Sequence, residues 1–379
     1  MAQNRLQELN AAGQSIWLDF IDRTILRNGE LQRRIRDEAL TGMTSNPSIF
    51  EKALAEGTVY DDQIQSASGD FTAMELFELI ATTDVRSACD IFAPVFERTK
   101  GYDGFVSIEV SPSAANDAKA TISEGARLWA TVDRPNLMVK VPGTLEGAKA
   151  VRQLTADGVN VNITLLFSID AHKSVIDAYM SGLEDRIAAG KRIDSIHSVA
   201  SFFVSRVDTE VDKRLEAAEK TSSNRAELKA LHGKAAVANA KLAYKLFQTE
   251  FGSARWNAIA AKGGTVQRPL WASTSTKNPA YRDVMYVEDL IGPDTVNTMP
   301  PATIDAFADH GVVKRTVDAD VEGAQATIDA LEKNGISLES VTDKLLVDGL
   351  ASFQKSFDTL VAGLQKKTKS LGKELAQSR

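Results

Sequence analysis

The sequence predicts an α/β fold of alternating strands and helices, and in particular a closed (β/α)8 barrel, also called a TIM barrel. Eight short runs of apolar and β-branched residues recur along the chain, and amphipathic stretches lie between them. Strands that are apolar throughout are typical of parallel sheets that helices cover on both faces. Eight such units favour a closed barrel. The alternative is an open parallel sheet with a cap domain.

The alternation locates the individual elements. The predicted strands are Ser15–Phe20, Leu40–Ser45, Gly104–Val110, Asn136–Val141, Val159–Leu166, Ile193–Phe203, Arg268–Thr274 and Thr295–Met299. The predicted helices between strands include Ala114–Ala130, Leu145–Leu154, Asp170–Ile187 and Val207–Ala218. No strand precedes a glycine-rich dinucleotide-binding motif, and the phosphate-binding pattern Gly-x-x-x-x-Gly-Lys-Ser/Thr is absent. We therefore expect no nucleotide-binding loop.

Three segments exceed a minimal barrel. Helical stretches at Thr72–Lys100 and Asn224–Phe251 lengthen two connections, and an apolar stripe with helical spacing follows near the C-terminus. The stripe comprises Leu346, Leu350, Phe353, Phe357, Leu360 and Leu364. We expect it to pack against the barrel exterior, with packing over part of the barrel mouth as the alternative, followed by a solvated, frayed tail from Lys366 onward. Residues 1–379 are thus interpreted as a single barrel domain, with a core of about residues 15–310 and a C-terminal helical extension of about residues 311–379.

Composition argues against several classes of function. Of 379 residues, 44 are Lys or Arg and 51 are Asp or Glu, so the formal net charge is −7. Nucleic-acid-binding proteins usually present a basic face, which this balance disfavours. The single cysteine, Cys89, excludes an intrachain disulfide and a thiolate zinc cluster, and the four histidines are scattered along the chain. We predict no metal and no cofactor.

The sequence also bears on location and partners. The first residues contain no apolar segment of the kind that marks export, and no apolar run approaches the ~20 residues that cross a bilayer. We therefore predict a cytoplasmic protein without nucleic-acid or membrane partners. The oligomeric state stays open, because the outer helices could face either solvent or another subunit.

Three charged residues interrupt apolar strands. Asp19 follows Ile-Trp-Leu, Glu109 follows Val-Ser-Ile, and Lys140 follows Leu-Met-Val. Each lies at or near the C-terminal end of its strand, which in this fold is the mouth where active sites form. Burying a single unpaired charge is costly, so three at equivalent positions indicate one polar cluster. The alternative is a buried ion-pair network without catalytic function.

More polar side chains are predicted in the same layer, on or directly after other strands. They are Asn46, Asn162, Thr164, Ser201, Arg206, Ser275 and Lys277, with Phe203 on the same strand face as Ser201. Any one of them could be a cap or turn residue. Together they place amides, hydroxyls and two further cations beside the amine and the two carboxylates.

This set of groups indicates chemistry on a phosphorylated carbonyl compound. Burial disfavours the ammonium form of Lys140, and a neutral amine attacks carbonyls to form a Schiff base. Two carboxylates can transfer the protons that this reaction requires. Arg206 and Lys277 can hold a phosphate monoester, with a further hydrogen bond from Ser275.

Two long motifs resemble those of the transaldolase family, in the same order. The segment Gly42–Phe50 contains Thr-Ser-Asn-Pro and is similar to the family's first signature. The segment Leu137–Leu154 contains Leu-Met-Val-Lys-Val-Pro-Gly-Thr and resembles the second, which carries the Schiff-base lysine. The resemblance extends from about Ser15 to Met299 and is weaker in the C-terminal helices. The length is similar to that of the longer bacterial form.

The resemblance implies a class I aldolase mechanism. Lys140 matches the Schiff-base lysine, and Asp19 matches the aspartate that takes the proton of the substrate hydroxyl. Glu109 matches the acid/base glutamate, which acts through a bound water, and Thr164 matches the threonine that helps to hold this water. The remaining matches concern substrate contacts.

Those contacts divide into two groups. The residues matched or placed around the retained three-carbon unit are Asn46, Asn162, Ser201 and Phe203. Arg206 matches a phosphate-binding arginine, while Lys277 stands where a second one is expected, near Ser275. Lysine keeps the charge there but lacks the bidentate fork of arginine.

The implied function is transfer of a dihydroxyacetone unit in the non-oxidative pentose phosphate pathway. The donor would be sedoheptulose 7-phosphate or fructose 6-phosphate, and the acceptor glyceraldehyde 3-phosphate or erythrose 4-phosphate. One alternative is an aldolase that releases free dihydroxyacetone. Another is a non-catalytic barrel that binds sugar phosphates.

Overall fold

Eight parallel strands close into a barrel in the computed structural model, which describes residues 3–55, 58–67 and 71–377 and the side chains up to Leu371. Each strand pairs with the next in the chain, and the last pairs with the first. The strands are β1 (Gln14–Asp19), β2 (Leu40–Thr44), β3 (Val106–Glu109), β4 (Leu137–Pro142), β5 (Val161–Leu166), β6 (Ser198–Phe203), β7 (Gln267–Ala272) and β8 (Thr295–Met299). This order confirms the predicted (β/α)8 barrel, and the open sheet with a cap domain is wrong.

Helices surround the barrel and fill the longer connections. They are α1 (Arg5–Ala11), α2 (Arg23–Arg27), α3 (Glu30–Asp37), α4 (Pro47–Ala55), α5 (Asp61–Ala67), α6 (Ala73–Arg98), α7 (Ala118–Val132), α8 (Leu145–Asp157), α9 (Ile169–Ala188), α10 (Ser205–Glu219), α11 (Arg225–Lys229), α12 (Ala235–Glu250), α13 (Ala254–Ala260), α14 (Met285–Glu288), α15 (Pro301–His310), α16 (Val321–Lys333) and α17 (Leu338–Gln377), with a short 3-10 helix at Pro112–Ala114. Within the described residues, no helix is both long and apolar enough to span a bilayer.

The predicted strand bounds lie within two residues of the observed ones except at the start of the sixth. The apolar run begins at Ile193, whereas β6 begins at Ser198. A turn occupies the intervening residues, in which Ile196 N donates to the Ile193 carbonyl. The Thr265 hydroxyl donates to the Ile196 carbonyl at 2.8 Å, so a side chain outside the sheet satisfies this backbone oxygen. Ile193 and Ile196 on either side of this turn are buried, whereas Asp194 and Ser195 between them are exposed, so the apolar residues alone made the segment resemble a strand.

The connection after β4 shows how local sequence positions the barrel mouth. The Thr144 hydroxyl accepts a hydrogen bond from Gly147 N at 2.9 Å and caps the start of α8. A side chain at Gly147 would collide with the Pro142 carbonyl. Glycine therefore allows α8 to begin directly against the end of β4. The helix ends at Gly158, whose φ of 97° suits glycine.

The C-terminal helix α17 packs across α4, α6 and α10. It buries the side chains of Phe353, Phe357, Leu360 and Leu364 from the predicted stripe. The expectation of a frayed tail is wrong at its start, because the helix continues to Gln377 and Lys367 Nζ lies 2.7 Å from Asp61 Oδ1. That contact ties the last turns of the helix to α5. The side chain of Lys373 lies outside the described residues.

Candidate active site

A cavity of about 260 Å³ opens at the C-terminal ends of the strands, where the sequence predicted a site. Its lining combines ionisable groups, hydroxyls and two aromatic rings. The lining residues are Asp19, Thr44, Asn46, Ser48, Lys140, Thr164, Ser201, Phe203, Arg206, Ala272, Ser273, Ser275, Lys277, Thr298, Pro300 and Phe353. Nine of the eleven predicted site residues are among them, and the other two, Glu109 and Asn162, lie directly behind this wall.

Lys140 reaches this cavity from β4 and is 5% exposed. Its Nζ donates to the Ser45 carbonyl at 3.0 Å and lies 3.1 Å from Glu109 Oε2. The parallel register pairs Glu109 on β3 with Lys140 on β4, so the contact follows from neighbouring strand positions. Burial raises the pKa of Glu109, and the Lys140 ammonium opposes that rise. A carboxyl group ready to exchange protons thus adjoins the amine.

Asp19 is held at the end of β1 by a threonine on the next strand. Thr44 Oγ1 donates to Asp19 Oδ1 at 3.0 Å, and the same hydroxyl lies 2.7 Å from Thr298 Oγ1. Burial raises the pKa of Asp19 above its ordinary value of 3.8, while Lys140, Thr44 and the more distant cations act in the opposite direction. This carboxyl group is therefore oriented within a largely desolvated layer.

Two cations lie at the outer part of the cavity. The Arg206 guanidinium stacks 5.1 Å from the centre of the Phe203 ring, and Lys277 Nζ donates to Ser275 Oγ at 2.8 Å. Burial lowers the pKa of both cations, and Arg206 lowers that of Lys277 further. Two nearby cations that repel each other form a favourable site for a dianion.

The polar residues of β5 lie at two depths. Asn162 is fully buried, and its amide donates to Ser107 Oγ at 3.0 Å and accepts from Ser201 Oγ at 2.7 Å. Thr164 lines the cavity, and its buried hydroxyl has no hydrogen-bond partner among the described residues. The next residue, Leu165, has a φ of 58° where the pairing with β6 is irregular. Asn162 and Thr164 are two residues apart on one face of β5, so Thr164 lies one level nearer the mouth.

Asn46 combines a local role with a place in the cavity wall. Its side chain accepts a hydrogen bond from Ile49 N at 3.0 Å, as expected of a residue that caps α4. It also lines the cavity beside Ser48. Because the amide nitrogen is not engaged by this cap, it can donate to a bound molecule.

Several lining residues were missed by the sequence reasoning. Thr44 and Thr298 occupy inward positions near the ends of β2 and β8, so the strand alternation that located Asp19 could have located them. Ser273 follows β7 with a φ of 56°. Phe353 comes from α17, and no pattern in the sequence connects this helix with the barrel mouth. Among the described residues, no three His, Cys, Asp or Glu side chains converge as around a metal ion.

Comparison with known proteins identifies the family. The model of the transaldolase/fructose-6-phosphate aldolase family matches residues 16–364. The transaldolase of Trichodesmium erythraeum is 46% identical over 98% of this chain and 99% of its own length. Those of Thermobifida fusca and Mycobacterium marinum are each 48% identical, over 94% and 97% of this chain and 96% and 98% of their own lengths. The chain belongs to the transaldolase/fructose-6-phosphate aldolase family.

Proposed function

We propose that this chain is a transaldolase that moves a dihydroxyacetone unit from a ketose phosphate to an aldose phosphate through a Schiff base on Lys140. The observation that carries the proposal is the buried Lys140 amine, 3.1 Å from the Glu109 carboxylate, at the wall of a cavity that also contains Asp19 and two cations. A barrel that only bound sugar phosphates would need the cations but not the amine with two carboxylates.

The first half-reaction begins with the keto group of sedoheptulose 7-phosphate or fructose 6-phosphate. The Lys140 proton passes to Glu109, and the neutral amine attacks the keto carbon to form a carbinolamine. Glu109 returns the proton to the departing hydroxyl, and loss of water gives the iminium ion. Thr164 presents its hydroxyl to the cavity and would hold the water that carries this proton.

Carbon–carbon cleavage then uses the second carboxylate. Asp19 accepts the proton of the hydroxyl on the carbon next to the breaking bond, and the hydroxyl oxygen becomes an aldehyde oxygen. The bonding electrons move to the iminium nitrogen, which leaves an enamine on Lys140. The aldose phosphate departs, and the three-carbon unit stays bound in the region of Asn46, Ser201 and Phe203, with Asn162 supporting Ser201 from below.

The two cations and a serine would serve both phosphorylated substrates in turn. Arg206, Lys277 and Ser275 bind the phosphate of the donor, release it with the first product and then bind that of glyceraldehyde 3-phosphate or erythrose 4-phosphate. The enamine attacks the new aldehyde, and the steps reverse to release the product. We further propose a cytoplasmic location, where such phosphorylated sugars are retained because their charge prevents them from crossing a bilayer.

The direct test is to trap the Schiff base. The protein is incubated with fructose 6-phosphate and reduced with borohydride, and peptides are analysed by mass spectrometry. We expect a stable three-carbon adduct on Lys140, and we expect the Lys140→Met variant to fold but to lose both the adduct and transfer. Active protein without a modified Lys140 would show that the lysine assignment is wrong.

The family description also includes an aldolase, and the two activities differ in the fate of the enamine. A transaldolase keeps it until an acceptor arrives, whereas an aldolase protonates it and releases free dihydroxyacetone. We expect sustained cleavage of fructose 6-phosphate only when erythrose 4-phosphate is present. Equal rates with and without the acceptor would favour the aldolase.

A further inference from the structure

One face of α10 is hydrogen-bonded to the segment 273–286 that follows β7. Ser205, Asp208 and Asp212 are spaced by three and four residues, so they share this face. Ser205 N and Oγ lie 3.0 Å from Ser273 O and Oγ, respectively. The other two contacts pair an aspartate with a tyrosine: the Tyr286 hydroxyl donates to Asp208 Oδ2 at 2.8 Å, and the Tyr281 hydroxyl donates to Asp212 Oδ2 at 2.5 Å.

Backbone N–H groups near the start of α12 also bind the two aspartates. Ala236 N donates to Asp208 Oδ1 at 2.8 Å, and Gly233 N donates to Asp212 Oδ1 at 3.0 Å. Both carboxylates therefore have one oxygen engaged by backbone near the start of α12 and the other by a tyrosine. A side chain at Gly233 would lie 2.8 Å from the Tyr281 ring, so glycine permits this approach.

These contacts flank Arg206 and Lys277, the two cations of the cavity with Lys140, along the chain. Arg206 lies between Ser205 and Asp208 on the helix, and Lys277 lies between Ser273 and Tyr281 on the segment. Lys277 also borders a second cavity of about 200 Å³, which is lined by Asp208, Asp212 and both tyrosines. A carboxylate oxygen without its tyrosine partner would attract the Lys277 ammonium away from Ser275.

We propose that Tyr281 and Tyr286 are positioning residues, which hold Lys277 and Ser275 opposite Arg206 so that the three groups bind one phosphate. This inference rests on the proposed function, because it concerns the phosphate site of that reaction. The tyrosines act in two ways: they fix the segment to α10, and they occupy the aspartate oxygens that would compete for Lys277. Burial raises the pKa of both phenols, so they remain hydrogen-bond donors at neutral pH.

The test compares Tyr281→Phe and Tyr286→Phe with Tyr244→Phe. Tyr244 is also buried and donates its hydroxyl to a protein oxygen, the Pro293 carbonyl at 3.0 Å, but that partner lies outside the segment 273–286 and Tyr244 does not line the second cavity. Binding of inorganic phosphate is measured by titration calorimetry, together with KM and kcat for fructose 6-phosphate. We expect the phosphate Kd and the KM to rise about tenfold in the first two variants and to stay unchanged in the control.

A second readout separates this inference from the proposed function. Unphosphorylated dihydroxyacetone is trapped on Lys140 with borohydride, and we expect equal trapping in all three variants and the parent protein. Unchanged phosphate affinity in both tyrosine variants, or an equal loss in Tyr244→Phe, would overturn the positioning role. Failure of trapping in the parent protein with intact phosphate binding would instead contradict the proposed Schiff-base function.

Discussion

Single side chains in this protein derive their reactivity from their depth in the barrel mouth. Glu109 and Asp19 are both partly buried, and this burial raises the pKa of each carboxyl group. They differ in their partners, because Glu109 contacts the Lys140 amine and Asp19 accepts from the Thr44 hydroxyl. In the proposed mechanism the first exchanges a proton with nitrogen and the second removes a proton from a substrate hydroxyl.

This difference predicts a pH profile. Asp19 must be ionised to accept a proton, so activity is lost as the pH falls through its pKa. Because burial raises that pKa, we expect the acid limb of kcat/KM to lie above pH 3.8, the ordinary value for aspartate. The measurement is kcat/KM for fructose 6-phosphate with saturating erythrose 4-phosphate, within the pH range where the protein stays folded.

The control for the pH profile is Asp19→Asn. We expect this variant to lose about 10²–10⁴-fold in transfer, yet to form the borohydride-trapped adduct with dihydroxyacetone, because imine formation uses Glu109. An acid limb at or below pH 3.8, or full activity of the asparagine variant, would exclude Asp19 as the base.

Among the secondary-structure elements, α17 connects the outer shell with the substrate cavity. Phe353 lines the cavity, and Phe357, one turn later, packs edge-on against Phe77 with the ring centres 5.6 Å apart. Gly349 lies where an added Cβ would be 3.7 Å from the Arg206 guanidinium and 3.0 Å from Leu165. The helix therefore passes close to Arg206, and one of its aromatic rings forms part of the cavity wall.

A pair of variants separates the contribution of α17 to stability from its contribution to the cavity wall. Phe353→Ala and Phe357→Ala should each lower the free energy of unfolding by about 3–5 kcal/mol, because both remove a buried ring. Only Phe353→Ala should also raise KM for fructose 6-phosphate, about tenfold, since it opens the wall beside Arg206. Denaturant unfolding and steady-state kinetics provide the measurements. An equal KM effect in both variants would mean that the helix acts only through overall stability.

At the scale of the whole molecule, the two ends of the barrel differ: one contains the cavity with Lys140, and the other contains a buried polar network. The end opposite the cavity contains a buried network in which Trp17 Nε1 donates to Asp103 Oδ1 at 2.7 Å. Arg268 Nη2 lies 3.7 Å from the same carboxylate, and its Nη1 donates to Ser15 Oγ at 2.8 Å. This network joins β1 and β7 to the segment before β3. It contains no group that faces the substrate.

Removal of Asp103 should therefore affect stability and not catalysis. Asp103→Ala leaves the Arg268 charge and the Trp17 N–H without their buried partner, and we expect a loss of about 3–5 kcal/mol in unfolding free energy. Asp194→Ala, which breaks an exposed ion pair with Arg192, should leave the unfolding free energy nearly unchanged. Both variants should keep the parent kcat at temperatures where they are folded. A large fall in kcat for folded Asp103→Ala would contradict this division.

The accuracy of prediction from the sequence differs from element to element. The strands could be predicted because parallel strands buried on both faces are apolar throughout, and the ionisable residues Asp19, Glu109 and Lys140 stood out against that background. The start of β6 was misplaced because the buried Ile193 and Ile196 flank the turn and extend the apolar run of the strand. Asn162 was predicted in the same layer as Thr164 but lies one level deeper, since the two residues are two positions apart along β5.

What the sequence determined by itself was the barrel, the family and the identity of the groups at its mouth, because each of these depends on local patterns along the chain. Only the tertiary structure showed that Phe353 lines the cavity and that Thr44, next to Thr298, is hydrogen-bonded to Asp19. It also showed that Tyr281 and Tyr286 join the segment 273–286 to α10 by hydrogen bonds. These are contacts between residues far apart in the chain. They depend on how helices pack around the barrel, and no spacing within a single element encodes that packing.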